Sequence, residues 1–204
     1  SSWRLALNGA EPVSSTVLEA SAARFALAGF RREALSPVYG LAEDSVGLAF
    51  PLPGRGPRVD RIDAERFARE GVAVAPEPGV PALEIVACGS PLPGHEIRIV
   101  DELGDELPDR RVGRLEFRGP SACSGYFHNP GASAKLVRAG SGWLDSGDMA
   151  YLGEGDLFLA GRVKDLIIRA GRNLYPYELE QDVGEVAGVR RGAVVAFACP
   201  GEDG

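Results

Sequence analysis

The chain has 204 residues, 45% hydrophobic and 25% charged, with 22 Lys+Arg against 29 Asp+Glu for a formal net charge of −7. That composition excludes a core-poor disordered chain, and the acidic balance argues against non-specific binding to nucleic acid or an anionic membrane, whose phosphates repel the average face of such a molecule. The longest apolar run, residues 193–199, falls far short of the ~20 residues a bilayer crossing needs, so no membrane span is expected.

In chain order, Leu5 and Leu7 around Ala6 predict a short strand that enters the turn Asn8-Gly9-Ala10-Glu11-Pro12. Ser14 or Ser15 can cap a following helix, with Leu18, Ala22, Phe25 and Ala26 at helical spacing and Gly29 as its left-handed terminus. Residues 34–39 predict a second buried strand that stops at Tyr39-Gly40, and strand, helix, strand is the pattern of a parallel α/β unit. Residues 51–81 are rich in proline and glycine around a short helix at 63–70. Asp63 is its cap, Ile62 and Phe67 form a hydrophobic staple and Gly71 ends it, so an ordered insertion is expected. Residues 83–88, 96–100, 114–118 and 156–160 alternate apolar and polar side chains between turns such as Leu103-Gly104-Asp105 and Glu154-Gly155-Asp156, which predicts a small antiparallel sheet or barrel. Asn129-Pro130 predicts a short capped helix among them. From Lys164 the pattern changes to Leu166-Ile167-Ile168, a turn at 170–173, a helix begun by Pro176 with Leu179, Val183 and Val186 on one face, and a strand over 193–199. The expected organisation is therefore an α/β portion at 1–88 with its insertion at 51–81, a β-rich portion at 89–163 and the start of a separate α+β module at 164–204. Ser1 in place of a start methionine, and an end directly after the last predicted strand, predict a piece of a longer protein.

Cys88, Cys123 and Cys199 lie far apart among apolar neighbours, which fits neither a disulfide framework nor a zinc knuckle; reduced core thiols in a cytosolic setting are expected. His95 and His128 cannot form a metal cluster by local spacing. Neither GxSxG nor HExxH occurs, so a serine hydrolase or zinc peptidase has no local support.

Four segments carry a more specific signal together than singly: Tyr39-Gly40-Leu41-Ala42-Glu43, Gly142-Trp143-Leu144-Asp145-Ser146-Gly147-Asp148, Gly161-Arg162-Val163-Lys164-Asp165 and Gly171-Arg172-Asn173-Leu174-Tyr175-Pro176. In this order they resemble the adenylate-forming superfamily of acyl-CoA synthetases, luciferases and peptide-synthetase adenylation domains. Asn8-Gly9-Ala10-Glu11-Pro12-Val13, Arg118-Gly119-Pro120-Ser121, Gly125-Tyr126 and Asn129-Pro130 extend the resemblance over almost the whole chain. It implies the fold class α/β plus β: part of the large N-terminal domain, a parallel α/β unit followed by a small antiparallel sheet or barrel, and the start of an α+β C-terminal lid. The insertion, placed between Tyr39-Gly40-Leu41-Ala42-Glu43 and Cys88-Gly89, is similar to the extra segment of fatty acyl-AMP ligases, which load carrier-protein phosphopantetheine and exclude free coenzyme A.

The residues suit a nucleotide. Tyr39, at the carboxyl end of a predicted parallel strand and beside a glycine, can stack a base; the alternative is a core aromatic next to a turn glycine. Asp148 after Gly147 can accept both vicinal hydroxyls of a ribose, and the planar fork of Arg162 can donate to ribose or phosphate; the alternative is a structural ion pair between them. The resemblance assigns Gly9, Ala10, Glu11, Tyr39, Gly40, Leu41, Asp148 and Arg162 to ATP/AMP binding, Glu43 to Mg²⁺ beside the phosphates, and Lys164 to the lid hinge; Glu43 and Lys164 are the catalytic candidates. Glu43 can equally be a solvated acid and Lys164 a solvated lysine. The implied reaction activates a fatty acid or other carboxylate as acyl-AMP and passes the acyl group to a phosphopantetheine thiol, of an acyl carrier protein or of coenzyme A. An acyl-CoA synthetase and a non-catalytic nucleotide-binding or carrier-docking module are the alternatives. The family's Gly- and Ser/Thr-rich phosphate loop and its late lid lysine have no counterpart in the sequence. Asp145-Ser146 stands where the family more often has Arg-Thr, which places extra negative charge near Asp148.

Overall fold

The computed structural model describes residues 2–138, 140–169, 171–190 and 193–199. β1 (Ala6–Asn8), α1 (Ser15–Phe25) and β2 (Leu35–Pro37) form the expected unit, the two strands pairing in parallel with Ala6 opposite Leu35 and Asn8 opposite Pro37. Ser14 caps α1 by accepting from the Val17 amide at 3.4 Å, satisfying one of the free N–H groups of the first turn. Leu18 and Ala22 bury against Leu35 and Val86, while Phe25 is exposed.

β3 (Ala49–Phe50) precedes the insertion, which is ordered. Within it β4 (Val59–Asp63), not foreseen in the sequence, runs into α2 (Ala64–Glu70), and β4 pairs antiparallel with β5 (Ala82–Val86). Asp63 Oδ1 accepts from the Arg66 amide at 2.9 Å and Gly71 closes the helix at φ 63°. Ile62 and Phe67 both bury, in one cluster with Ala73, Ile85, Tyr151, Phe158 and Tyr175.

β6 (Ser90–Pro91) pairs with β3. β7 (Glu96–Val100), β8 (Gly113–Arg118), α3 (Pro130–Leu136), β9 (Leu144–Gly153) and β10 (Asp156–Arg162) follow, and the four long strands make an antiparallel sheet in the order β10-β9-β8-β7. The sheet is open. Among the described residues no pairing joins β7 to β10, so the barrel alternative is corrected to a sheet; four strands are too few to wrap around a filled interior. Glu154 and Gly155, at φ 51° and 80°, make the two-residue turn between β9 and β10, the positive-φ pair that matches strand twist. Tyr39, Leu48, Leu115, Phe117, Leu144 and Leu157 form the core between this sheet and the segment after β2.

β11 (Ile167–Arg169) and β12 (Arg172–Leu174) pair as a two-stranded ribbon before α4 (Pro176–Gly184). Residues 193–199 form no strand: a short apolar run becomes one only against a partner edge, and Val195 and Phe197 are exposed. Leu179, Val183 and Val186 are likewise exposed. Cys88 is buried and Cys123 half-buried, but Cys199 is exposed and is not a core thiol. Among the described residues no helix is long and apolar enough to cross a membrane.

Candidate functional site

The parallel strands deliver two turns side by side. The Val38 amide, just past β2, donates to the Asn8 carbonyl at the end of β1 at 2.8 Å, and a Cβ on Gly9 would lie 2.8 Å from the Val38 carbonyl oxygen. The turn of Gly9, Ala10 and Glu11 thus lies against the segment that ends at Tyr39. Ala10, at φ 66°, and Glu11 are exposed. Tyr39 is fixed by its backbone: its amide donates to the Ala49 carbonyl, and its carbonyl accepts from the Leu48 and Ala49 amides at 3.0 and 2.9 Å. Gly40 follows where only glycine fits, since a Cβ would lie 1.6 Å from the Val46 carbonyl oxygen. That approach folds Leu41 and the 3-10 turn 42–44, with Glu43 at its centre, back onto the strand end.

From the opposite side, β9 supplies Asp148 and the last residue of β10 supplies Arg162, its cross-strand partner in register. The Tyr39 hydroxyl donates to Asp148 Oδ2 at 2.5 Å across 109 residues of chain, and Arg162 Nε lies 3.6 Å from Asp148 Oδ1. The Asp148 side chain is 14% exposed and that of Arg162 62%, so the carboxylate is nearly buried and the guanidinium beside it stands in solvent.

Burial raises the Asp148 carboxyl above the ordinary aspartate range. The Tyr39 hydrogen bond and the Arg162 charge pull it back, while the charges of Asp145 and Glu43 push it further up. Burial, and then the Asp148 charge, hold the Tyr39 phenol far above its usual value. Glu43 is therefore near enough to act electrostatically on Asp148. Its carboxylate accepts from the Tyr126 hydroxyl, whose phenol is pushed up to about 12, first by that bond. Asp145, the apparent intruder, is occupied: it pairs with Arg114 and accepts from the Gly147 amide at 2.9 Å. The Ser146 hydroxyl donates to the Leu115 carbonyl at 2.7 Å and accepts from the Asp148 amide at 3.1 Å, fixing the backbone that bears Asp148.

The structure thus brings Tyr39, Asp148 and Arg162 into one junction, with Glu43 close by. Lys164 is exposed in a 3-10 turn at 163–165, between β10 and β11 and two residues past Arg162. Tyr126, on the loop after β8, was given no role in the sequence; a lone tyrosine 83 residues from its acidic partner offers no periodicity to read.

A second contact surface involves the insertion. Phe67 on α2 packs on Tyr175, ring centroids 5.4 Å apart, and Glu65 pairs with Arg172 of β12. Arg55 and Arg58, at the start of the insertion, pair with buried Asp156 at 2.8 and 3.1 Å. Asp60 accepts from Arg110 and from the Tyr151 hydroxyl, both at 2.9 Å. The insertion is bonded to the sheet and to the ribbon at once.

A family model described as AMP-binding enzyme matches residues 1–127. The chain is 41% identical over 204 residues to a "Putative acyl-CoA synthetase" of Caulobacter vibrioides (strain NA1000 / CB15N), covering 99% of the chain and 36% of that protein. It is 37% identical to the "Medium-chain-fatty-acid--[acyl-carrier-protein] ligase JamA" of Moorena producens (strain JHB), covering 100% of the chain and 36% of that protein. A solved structure described under "Structural and Functional Studies of Fatty Acyl-Adenylate Ligases from E. coli and L. pneumophila" superimposes with a TM-score of 0.90 at 37% identity, covering 96% of the chain and 36% of that structure. The chain spans about a third of the length of these relatives.

Proposed function

Because the chain belongs to the AMP-binding enzyme family, we propose that the protein carrying it is an ATP-dependent acyl-AMP ligase, and that the Tyr39–Asp148–Arg162 junction is its nucleotide site. The observation that carries this reading is the Tyr39–Asp148 hydrogen bond: it engages one oxygen of a nearly buried carboxylate and leaves the other facing an exposed arginine. Asp148 accepts the two ribose hydroxyls, Arg162 donates to ribose or α-phosphate through its planar fork, and Tyr39, its ring buried in the core, holds Asp148 through its hydroxyl. The turn of Gly9, Ala10 and Glu11 and the backbone of Gly40 and Leu41 border the same nucleotide.

The donor set at Glu43 fits Mg²⁺, which takes one or two protein carboxylates and fills its remaining positions with water and phosphate oxygens. When bound, the ion neutralises charge on the phosphates. In adenylation a carboxylate oxygen of the acid attacks the α-phosphorus, the bond to the bridging oxygen breaks, and pyrophosphate leaves. This chain's residues serve that step by holding the nucleotide and shielding its charge. The thiol sulfur of a phosphopantetheine then attacks the acyl carbonyl carbon, its proton passing to solvent, and the bond from that carbon to the phosphate oxygen breaks as AMP leaves. Lys164, exposed between β10 and the ribbon, marks the hinge on which residues 164 onward turn as a lid against the 1–163 portion.

For the acceptor, the reading favoured is a carrier-protein thiol. Packing of the insertion on Tyr175 and Arg172 supports it, since the segment holds the start of the lid, and JamA, named as an acyl-carrier-protein ligase, is 37% identical. An acyl-CoA synthetase is the second reading, favoured by the name of the Caulobacter relative. The full-length protein, given fatty acid, ATP and either coenzyme A or a phosphopantetheinylated carrier, is expected to make thioester on the carrier alone. Thioester on coenzyme A selects the second reading, and absence of acyl-AMP in both arms refutes the ligase.

A further inference from the structure

Directly behind Glu43 lies a buried cluster that the nucleotide junction does not use. Asp44 is fully buried; its Oδ1 accepts from the Ser121 hydroxyl at 3.0 Å, and His95 Nε2 lies 2.6 Å from Ser121 Oγ and 3.4 Å from Asp44 Oδ2. The residue types are those of a hydrolytic triad, but the arrangement is not. The carboxylate faces the same ring nitrogen as the hydroxyl instead of orienting Nδ1, and the hydroxyl proton is committed to the carboxylate, so the imidazole has no nucleophile to activate. The assignment that satisfies both contacts has His95 Nε2–H donating to Ser121 Oγ, whose own proton goes to Asp44 Oδ1. Gly119 makes this possible, since a Cβ there would lie 2.2 Å from the His95 ring.

The cluster ties the loop 119–126 to the turn that bears Glu43, and the same loop bonds that turn three more times. The Ser45 hydroxyl donates to the Ser121 carbonyl at 3.2 Å, the Cys123 amide to the Glu43 carbonyl at 2.8 Å, and the Tyr126 hydroxyl to the Glu43 carboxylate. Ser45 and Val46 follow at φ 52° and 80°, left-handed values that a non-glycine residue keeps only where its surroundings enforce them. A turn so strained needs a lock, and the buried cluster is placed to be one.

We propose that His95 is a positioning residue for Glu43: through Ser121 and Asp44 it locks the turn 42–46, so that the Glu43 carboxylate meets the metal–phosphate end of the nucleotide already aimed. The proposal rests on the reading of Glu43 given above. It is tested in the full-length protein with His95→Leu, which keeps bulk and removes the donor, His95→Gln, which keeps a donor to Ser121, and Ser121→Ala, a one-atom deletion at a half-buried site that spares the fold. Glu43→Gln is the control.

Two readouts apply: hydrogen exchange of the 44–46 amides without nucleotide or metal, and the Mg²⁺ dependence of pyrophosphate exchange, split into half-saturating Mg²⁺ and kcat. His95→Leu and Ser121→Ala are expected to speed exchange of those amides and to raise half-saturating Mg²⁺, each by up to about tenfold, the scale of one buried hydrogen bond. The kcat at saturating Mg²⁺ should change far less, and His95→Gln should restore both. Unchanged exchange in His95→Leu and Ser121→Ala overturns the lock. Faster exchange with unchanged Mg²⁺ dependence, while Glu43→Gln shifts it, overturns the positioning role and leaves the Glu43 reading standing. Unchanged Mg²⁺ dependence in Glu43→Gln removes that reading, and the positioning role with it.

Discussion

Tyr39→Phe isolates one atom. The substitution removes the hydroxyl that donates to Asp148 Oδ2 at 2.5 Å and keeps every carbon of a ring that is 9% exposed, so the core it fills is undisturbed. What is lost is a hydrogen bond to a charged, 14% exposed carboxylate, worth about 1.5–3 kcal/mol. Arg162, at 3.6 Å, offers partial compensation by closing in, so about 1–2 kcal/mol of destabilisation is expected near neutral pH. The effect carries a pH signature. Burial raises the Asp148 pKa in the fold, and the Tyr39 bond opposes that rise. A carboxyl whose folded pKa exceeds its unfolded value binds its proton more tightly in the fold, so its contribution is complete below the ordinary aspartate range and is lost as pH climbs through the folded pKa. Tyr39→Phe raises that folded pKa further, so the loss continues to higher pH and the gap between variant and wild type widens from acid to neutral. Urea denaturation of both proteins at pH 4 and pH 7.5, with nuclear magnetic resonance titration of Asp148, measures this. A stability difference independent of pH, or an Asp148 titration that does not move upward in the variant, would mean that the Tyr39 hydroxyl does not hold the charged carboxylate.

Phe67→Ala empties the cluster that α2 shares with Tyr151 and Tyr175 and is expected to cost about 3–5 kcal/mol by chemical denaturation; a loss under about 1 kcal/mol would mean that the insertion only rests on the ribbon. Glu178, raised to about 7 chiefly by burial and next by Asp182, contributes stability that is present below the ordinary glutamate range and fades as pH rises through about 7. Glu178→Gln should therefore flatten the fall in melting temperature between pH 5 and 8 and leave the variant the more stable at pH 8; an unchanged slope would contradict the burial of that carboxylate.

Much of the fold was legible because local chemistry and global packing agree. Ser14, Asp63 and Asn129 cap the helices they were expected to cap, and Ile62 with Phe67 forms the staple. The open sheet was less legible. β9 carries Asp145, Ser146, Gly147 and Asp148 in its first half, a polar run that reads as a loop and remains in the sheet because Ser146 and Asp145 bond the backbone around a register shift opposite β8. β4 was hidden by its adjacent polar residues Asp60 and Arg61, since Asp60 is satisfied by Arg110 in the turn before β8 and by Tyr151 of β9, both far along the chain. The apolar run at 193–199 misled in the opposite sense, because apolar, β-branched composition reports a capacity to pair and not a pairing. Within the site, Tyr39, Asp148 and Arg162 were foreseen as neighbours, whereas the hydroxyl link between Tyr39 and Asp148 and the clamp around Glu43 depend on side chains 83 to 109 residues apart that no local pattern relates.

If the junction is a nucleotide site, Asp148 is the residue that holds the ribose. Calorimetric titration of the full-length protein with a non-hydrolysable acyl-adenylate analogue, wild type against Asp148→Ala, tests it directly. Loss of two charge-assisted ribose hydrogen bonds, about 3 kcal/mol together, predicts an affinity at least a hundredfold weaker in the variant. Equal affinity in the two proteins, with the variant folded, would remove Asp148 from the nucleotide site.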